Sequence, residues 1–246
     1  MKHLIFVGGI GANAEASPSF REIACQIQFS PPGRISYVNG AQSDQNSNQL
    51  RVMRPSEQLR IIRTVIDRDE QTGIIGHCFG AVPVLAALEE WPAKLKAIII
   101  APPLPSPHVV YSQVISEKIE TFGGLLPTYW WAGLGEDTPP EERLIGAMVP
   151  DGYQEELGNA SRGFSETIKK HTQAGKLAMI HLTRDWNICA QRADLASPPK
   201  TWLEVDTTHN MLLGGSDERR PRCEKIASFA LDFFVLGKNE RESAIL

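Results

Sequence analysis

The chain has little of what marks several protein classes. Among its 246 residues there are only four cysteines, Cys25, Cys78, Cys189 and Cys223, and no two of them form a C-x-x-C pair. A disulfide framework and a zinc ribbon are therefore not expected, and free thiols are. Long apolar runs are missing too. The run at residues 4–7 ends at glycine, too soon for a signal-peptide core or a membrane span, so the expectation is a cytoplasmic protein with no membrane partner. There is no excess of basic charge: the net charge is −4, and nucleic-acid binding through counterion release needs a basic face. The one dense basic cluster, Arg219-Arg220-Pro221-Arg222, is flanked by Asp217, Glu218 and Glu224 and reads as a solvated helix start. His3, His77, His108, His171 and His181 show no metal-ligand spacing, so neither a metal nor a cofactor is expected.

What remains is a composition of 42% hydrophobic and 22% charged residues, enough for one sizeable core. Apolar runs at residues 4–7, 35–38, 73–76, 97–100, 177–182 and 202–205 read as strands. Most are continuous rather than alternating, as in parallel strands buried on both faces. Between them, Leu59, Ile62, Val65 and Ile66 recur at helical spacing, and Ile226, Phe229, Ala230, Phe233 and Phe234 form a one-sided stripe near the end. Both stripes read as core. The expected class is α/β, with a mostly parallel central sheet of about six strands flanked by helices.

The alternation breaks between residues 102 and 163, where prolines, glycines and the cluster Tyr129-Trp130-Trp131 intervene. The domain reading is a core of residues 1–101 and 164–246 with a lid insertion at 102–163, because long irregular segments in compact domains are usually functional. With aromatics only 7% of the chain, that cluster stands out. Together with Leu125, Leu126 and Leu134 it either lines an apolar substrate tunnel or packs the insertion onto the body.

The chemistry centres on Gly76-His77-Cys78-Phe79-Gly80, between the apolar residues 73–75 and the helix-forming residues 82–88. A strand-to-helix turn this tight needs small flanking residues, and it leaves the central side chain projecting alone over the sheet edge. The thiol sits at a helix N-terminus, whose partial positive charge favours thiolate. A cysteine nucleophile also needs a base and a group to orient that base. His209 follows the last strand and Asp185 follows the strand at 177–182, which puts both at the strand ends where Cys78 lies. Asp206 and Asp194 compete with Asp185 for the orienting role.

The order Cys78, Asp185, His209, the elbow pentapeptide and the insertion after the following strand resemble the α/β-hydrolase superfamily across nearly the whole chain. Within it, the length, the early first strand and the insertion look most like the stand-alone thioesterases of polyketide and nonribosomal peptide pathways. The resemblance implies that Cys78 attacks an acyl carbonyl, His209 moves the proton and Asp185 holds the imidazole tautomer. It implies an oxyanion hole from the N–H groups of Phe79 and Ile10, the latter in the loop Gly8-Gly9-Ile10-Gly11, although Gly8 stands where the family commonly has histidine or proline. His77, Tyr129, Trp130, Trp131 and Trp186 are the side chains expected to meet substrate. The expected partner is a small-molecule acyl substrate, carried by an acyl or peptidyl carrier protein or by coenzyme A.

Because thiolate leaves more readily than alkoxide, acyl transfer or cyclisation is as plausible as hydrolysis. Other readings stay open. A lyase or isomerase would use His209 and Asp185 for proton transfer, with Cys78 as pocket wall. A pseudoenzyme would have an unreactive Cys78. An NAD(P)-binding protein would use the G-x-G-x-x-A run from Gly9 to Ala14, but the second strand ends at Tyr37-Val38-Asn39-Gly40 with no acidic residue to hold a ribose.

Overall fold

A computed structural model of the chain describes residues 3–27, 33–43, 49–66, 71–103, 111–121, 123–129, 144–185, 201–209 and 216–236. The first half contains β1 (His3–Val7), α1 (Pro18–Gln26), β2 (Arg34–Val38), β3 (Ala41–Ser43), β4 (Leu50–Val52), α2 (Pro55–Val65), β5 (Thr72–His77), α3 (Ala81–Glu90) and β6 (Leu95–Ile100). Then come α4 (Tyr111–Thr121), β7 (Leu126–Tyr129), β8 (Leu144–Met148), α5 (Tyr153–Ser161), α6 (Phe164–Gln173), β9 (Leu177–Leu182), β10 (Trp202–Val205) and α7 (Ser216–Leu231).

Six strands form one parallel sheet in the order β2-β1-β5-β6-β9-β10. All six expected strands are in it, and none differs by more than two residues at either end. Their continuous apolar runs follow from burial on both faces. Successive side chains point to opposite sides of a sheet, so Ile5, Val7, Ile74, Ala97, Ile99 and Met179 pack on one face with Ile62 of α2, Leu85 and Leu88 of α3 and Ile168 of α6. Leu4, Phe6, Ile75, Ile98, Ile100 and Ile180 pack on the other with Phe20 and Ile23 of α1 and Ile226 and Phe229 of α7. The two helical stripes of the sequence are thus core. Each fully buried aliphatic side chain contributes about 1.5–3 kcal/mol, and both layers depend on that.

The chain runs outward from β1 to β2 and returns to β5 on the other side of β1. This is a topological switch point, and such points leave a crevice at the carboxyl ends of the strands. Val7 pairs with Val38 and with Gly76, His77 with Ile100, and Leu182 with Val205. The carboxyl ends therefore form one edge, from which the loops at residues 8–11, 78–80, 183–185 and 206–209 all emerge.

A second, four-stranded sheet, β3-β4-β8-β7, was not expected from the sequence. The prolines and glycines of residues 102–163 predict a break in the alternation, yet α4, β7, β8 and α5 lie within them. Proline did not preclude β7 because Pro127 stands in a strand that, among the described residues, is an edge paired only with β8, where no N–H is needed on the open side. Opposite it, Gly146 leaves room for Leu125. The basic cluster also differs from a fully solvated helix start. Arg219 is 4% exposed and its Nε donates to Glu22 Oε2 at 3.0 Å, tying α7 to α1. Among the described residues, no helix is long and apolar enough to cross a membrane.

Candidate active site

The pentapeptide forms a turn of the kind the glycine spacing demands. β5 ends at His77, residues 78–80 make a single 3-10 turn, and α3 begins at Ala81. Cys78 has φ 55°, a left-handed conformation that costs a non-glycine residue on the order of 1–2 kcal/mol. The flanking glycines make it possible. A Cβ on Gly80 would lie 2.5 Å from the Val7 carbonyl oxygen, and one on Gly76 would lie 2.8 Å from the Gly80 carbonyl oxygen. Cys78 is buried and free of disulfide. It stands where the first helical N–H groups have no intrahelical acceptor.

The loop after β1 lies against it. A Cβ on Gly9 would come within 2.8 Å of Cys78 Cβ, so only glycine lets this backbone approach. The loop is held from several sides. Gly11 N–H donates to the Gly40 carbonyl at 3.2 Å, Gly40 N–H donates to the Ala12 carbonyl at 2.7 Å, and the buried Gln58 amide donates to the carbonyls of Gly8 and Asn39 at 3.0 and 2.9 Å. The Ile10 N–H donates to nothing among the described residues. Asn39 Oδ1 accepts from Ala14 N–H at 2.8 Å, and α1 starts only at Pro18 with Ser17 as its cap. A dinucleotide loop would lead straight into a helix N-terminus with its amides open to a pyrophosphate; this one does not.

Asp185 and His209 come together across the ends of β9 and β10. Nδ1 of His209 is 2.5 Å from Asp185 Oδ2, and the carboxylate side chain is wholly buried. Asp206 is different: its side chain is 77% exposed and is bridged to Arg184 at 2.9 Å. Asp194 lies outside the described residues. His209 in turn abuts His77, the residue before Cys78. Their ring centroids are 5.0 Å apart, and His77 Nε2 is 3.0 Å from the His209 main-chain oxygen. Burial and the neighbouring His209 hold the His77 pKa down at about 3, against the opposing pull of Asp185 and that hydrogen bond.

Of the side chains expected to meet substrate, His77 is buried beneath His209 rather than free. Trp130, Trp131, Trp186 and the side chain of Tyr129 lie outside the described residues. The sequence did not single out Tyr153, at the start of α5, which is 2% exposed and belongs to the same buried cluster as Cys78. Burial, then the Cys78 sulfur and Glu156, raise its phenol pKa well above the ordinary tyrosine value. Only its aromatic character within residues 102–163 hinted at it. Gln58 was missed as well, since a glutamine in a helical stripe carries no sequence signal. Among the described residues, no group of three His, Cys, Asp or Glu could hold a metal.

No protein-family profile and no curated protein sequence matches this chain. Solved structures do. A pyrethroid hydrolase is 13% identical, with 93% of this chain and 97% of that one covered at a TM-score of 0.56. An extracellular alpha/beta-hydrolase from a Paenibacillus species is 12% identical, with 96% and 100% covered at 0.54. The alpha/beta hydrolase domain-containing protein 10 from mouse is 16% identical, with 92% and 88% covered at 0.54. At such identities the likeness is one of fold, and the fold is that of the α/β-hydrolases.

Proposed function

We propose that the protein is an acyl-processing enzyme, a thioesterase or acyltransferase, that works through a covalent acyl-Cys78 intermediate. The observation that carries this reading is the buried Asp185–His209 pair lodged against the residue before Cys78, at the edge of an α/β-hydrolase sheet. In the proposed reaction His209 Nε2 takes the Cys78 proton, and the sulfur attacks the acyl carbonyl to form the C–S bond. The developing oxyanion receives the Phe79 and Ile10 N–H groups. Collapse breaks the bond to the leaving group, which takes the proton back from His209. Water, an alcohol, an amine or another thiol then attacks the thioester, with His209 again as base, and releases Cys78.

The small sheet and α5 support a covering role for residues 102–163. The Thr128 side chain of β7 fills the space where a side chain on Gly11 would go, and Tyr153 of α5 packs in the cluster of Cys78. We propose that this segment is the lid and that the acyl donor is a small-molecule thioester or ester, delivered by a carrier protein or coenzyme A. A cytoplasmic location suits a nucleophile that must stay a free thiol.

Incubation with an activated acyl thioester should add the acyl mass to Cys78, read by intact-protein mass spectrometry and peptide mapping. Equal labelling of the Cys78→Ala variant would remove the proposal. Turnover that survives Cys78→Ala but is lost in His209→Ala would assign proton transfer without acylation instead.

A further inference from the structure

His77 closes β5 and is 6% exposed. A buried polar ring must be bonded or else cost stability, and this one has found a partner in the base itself. Its Nε2 is 3.0 Å from the His209 main-chain oxygen. A carbonyl only accepts, so the ring carries its proton on Nε2 and donates it. The Phe20 ring of α1 meets His77 edge-on at 6.5 Å, and the His209 ring lies at 5.0 Å. His77 is therefore held between α1 and the loop that follows β10. Kept neutral by burial, it remains a donor through the pH range in which ordinary histidines change charge.

We infer that His77 is a positioning residue: its Nε2–H holds the His209 main chain and so fixes the base loop at one distance from the nucleophile elbow. Asp185 meets the His209 ring, at Nδ1. His209 itself stands four residues past Val205, the last residue of β10. A bond to the ring and a bond to the backbone together define both ends of the residue. The second bond comes from the neighbour of Cys78, so elbow and base shift together. Misplacing a reacting group by about 1 Å costs on the order of 10²-fold in rate.

The inference rests on reading Cys78 and His209 as nucleophile and base, and the experiment separates the two. Glutamine puts its amide nitrogen the same number of bonds from Cβ as histidine Nε2, whereas asparagine falls one bond short. With an acyl-thioester substrate, His77→Asn and His77→Leu should lose kcat by roughly 10- to 100-fold with KM within about twofold, and His77→Gln should recover to within about threefold of wild type. Equal kcat in the Asn and Gln variants, or a loss confined to KM, overturns the inference. If wild-type Cys78 takes no acyl group, the catalytic reading fails by itself. Histidine-selective 15N NMR of the wild-type protein tests the clamp whether or not any variant folds. The expected spectrum has a neutral His77 with a slowly exchanging Nε2–H from about pH 5 to 8, and a ring protonated at Nδ1 or titrating near the ordinary histidine value overturns the inference.

Discussion

Asp185 Oδ2 and His209 Nδ1 stand 2.5 Å apart, with the carboxylate side chain fully out of water and the histidine side chain 15% exposed. A carboxylate is buried at that depth only when it is paired, and here its partner is the imidazole of His209. Asp185→Asn replaces an acceptor by an amide that can donate, which favours the wrong tautomer. The expected loss in kcat is roughly 10²–10⁴-fold with KM little changed. Asp206→Asn, altering a side chain that is 77% exposed, should stay within about twofold of wild type. Steady-state kinetics of both variants on one acyl-thioester substrate decide the matter, and the reverse ranking would move the orienting role to Asp206.

The elbow has a signature in stability as well as in rate. At most positions glycine is less stable than alanine, because it loses more backbone entropy on folding. At Cys78, with φ 55°, alanine keeps the left-handed strain and glycine releases it. Cys78→Gly should therefore match or exceed Cys78→Ala in urea unfolding, by about 1 kcal/mol. Alanine ahead by a similar margin would mean that the turn is unstrained in solution.

Gly80 has no such freedom to be replaced. Its missing side chain would point at backbone, 2.5 Å from the Val7 oxygen and 2.8 Å from the Gly8 oxygen, and backbone at the centre of a sheet cannot rotate aside. Gly80→Ala should cost about 3 kcal/mol or more, at or above the upper end for overpacking, and should push apart the elbow and the loop after β1. Gly158 of α5 has nothing within 4 Å of the corresponding position, so Gly158→Ala should be neutral or stabilising by up to about 1 kcal/mol. Thermal unfolding of the pair measures the contrast.

The main sheet was legible because burial on both faces leaves runs such as Ala97, Ile98, Ile99 and Ile100, which hardly need context. The small sheet was not. β3 and β4 have three residues each, and β4 finds β8 through Leu50 and Ala147, a pairing of distant segments that no local pattern announces. The elbow turn was legible for the same steric reason that the structure displays, two glycines around one side chain. Which of Asp185 and Asp206 meets His209 was not, since both follow strands and only the direction of the side chain buries one and exposes the other. His77 and Gln58 act on main-chain oxygens of remote loops, and a sequence does not show where its carbonyls point.

The same burial that keeps His77 neutral should make folding sensitive to acid. Its pKa falls from the usual histidine value of 6.5 to about 3 on folding, first through burial and then through His209. A histidine with a lowered folded pKa binds its proton more readily when unfolded, so as the pH drops below the unfolded value the unfolded state gains protons that the folded state refuses. Stability is thus full above about pH 6.5 and is lost progressively towards pH 3, at up to about 1.4 kcal/mol per pH unit. Between pH 7 and 5 this one group should cost the wild type about 2 kcal/mol. His77→Gln removes the titration while keeping a donor towards His209, so its unfolding free energy should fall by about 2 kcal/mol less over the same interval. Urea unfolding of both proteins at pH 7, 6 and 5 provides the comparison. Parallel pH dependences would show that His77 is protonated in the folded protein, with its ring open to water or facing a negative charge.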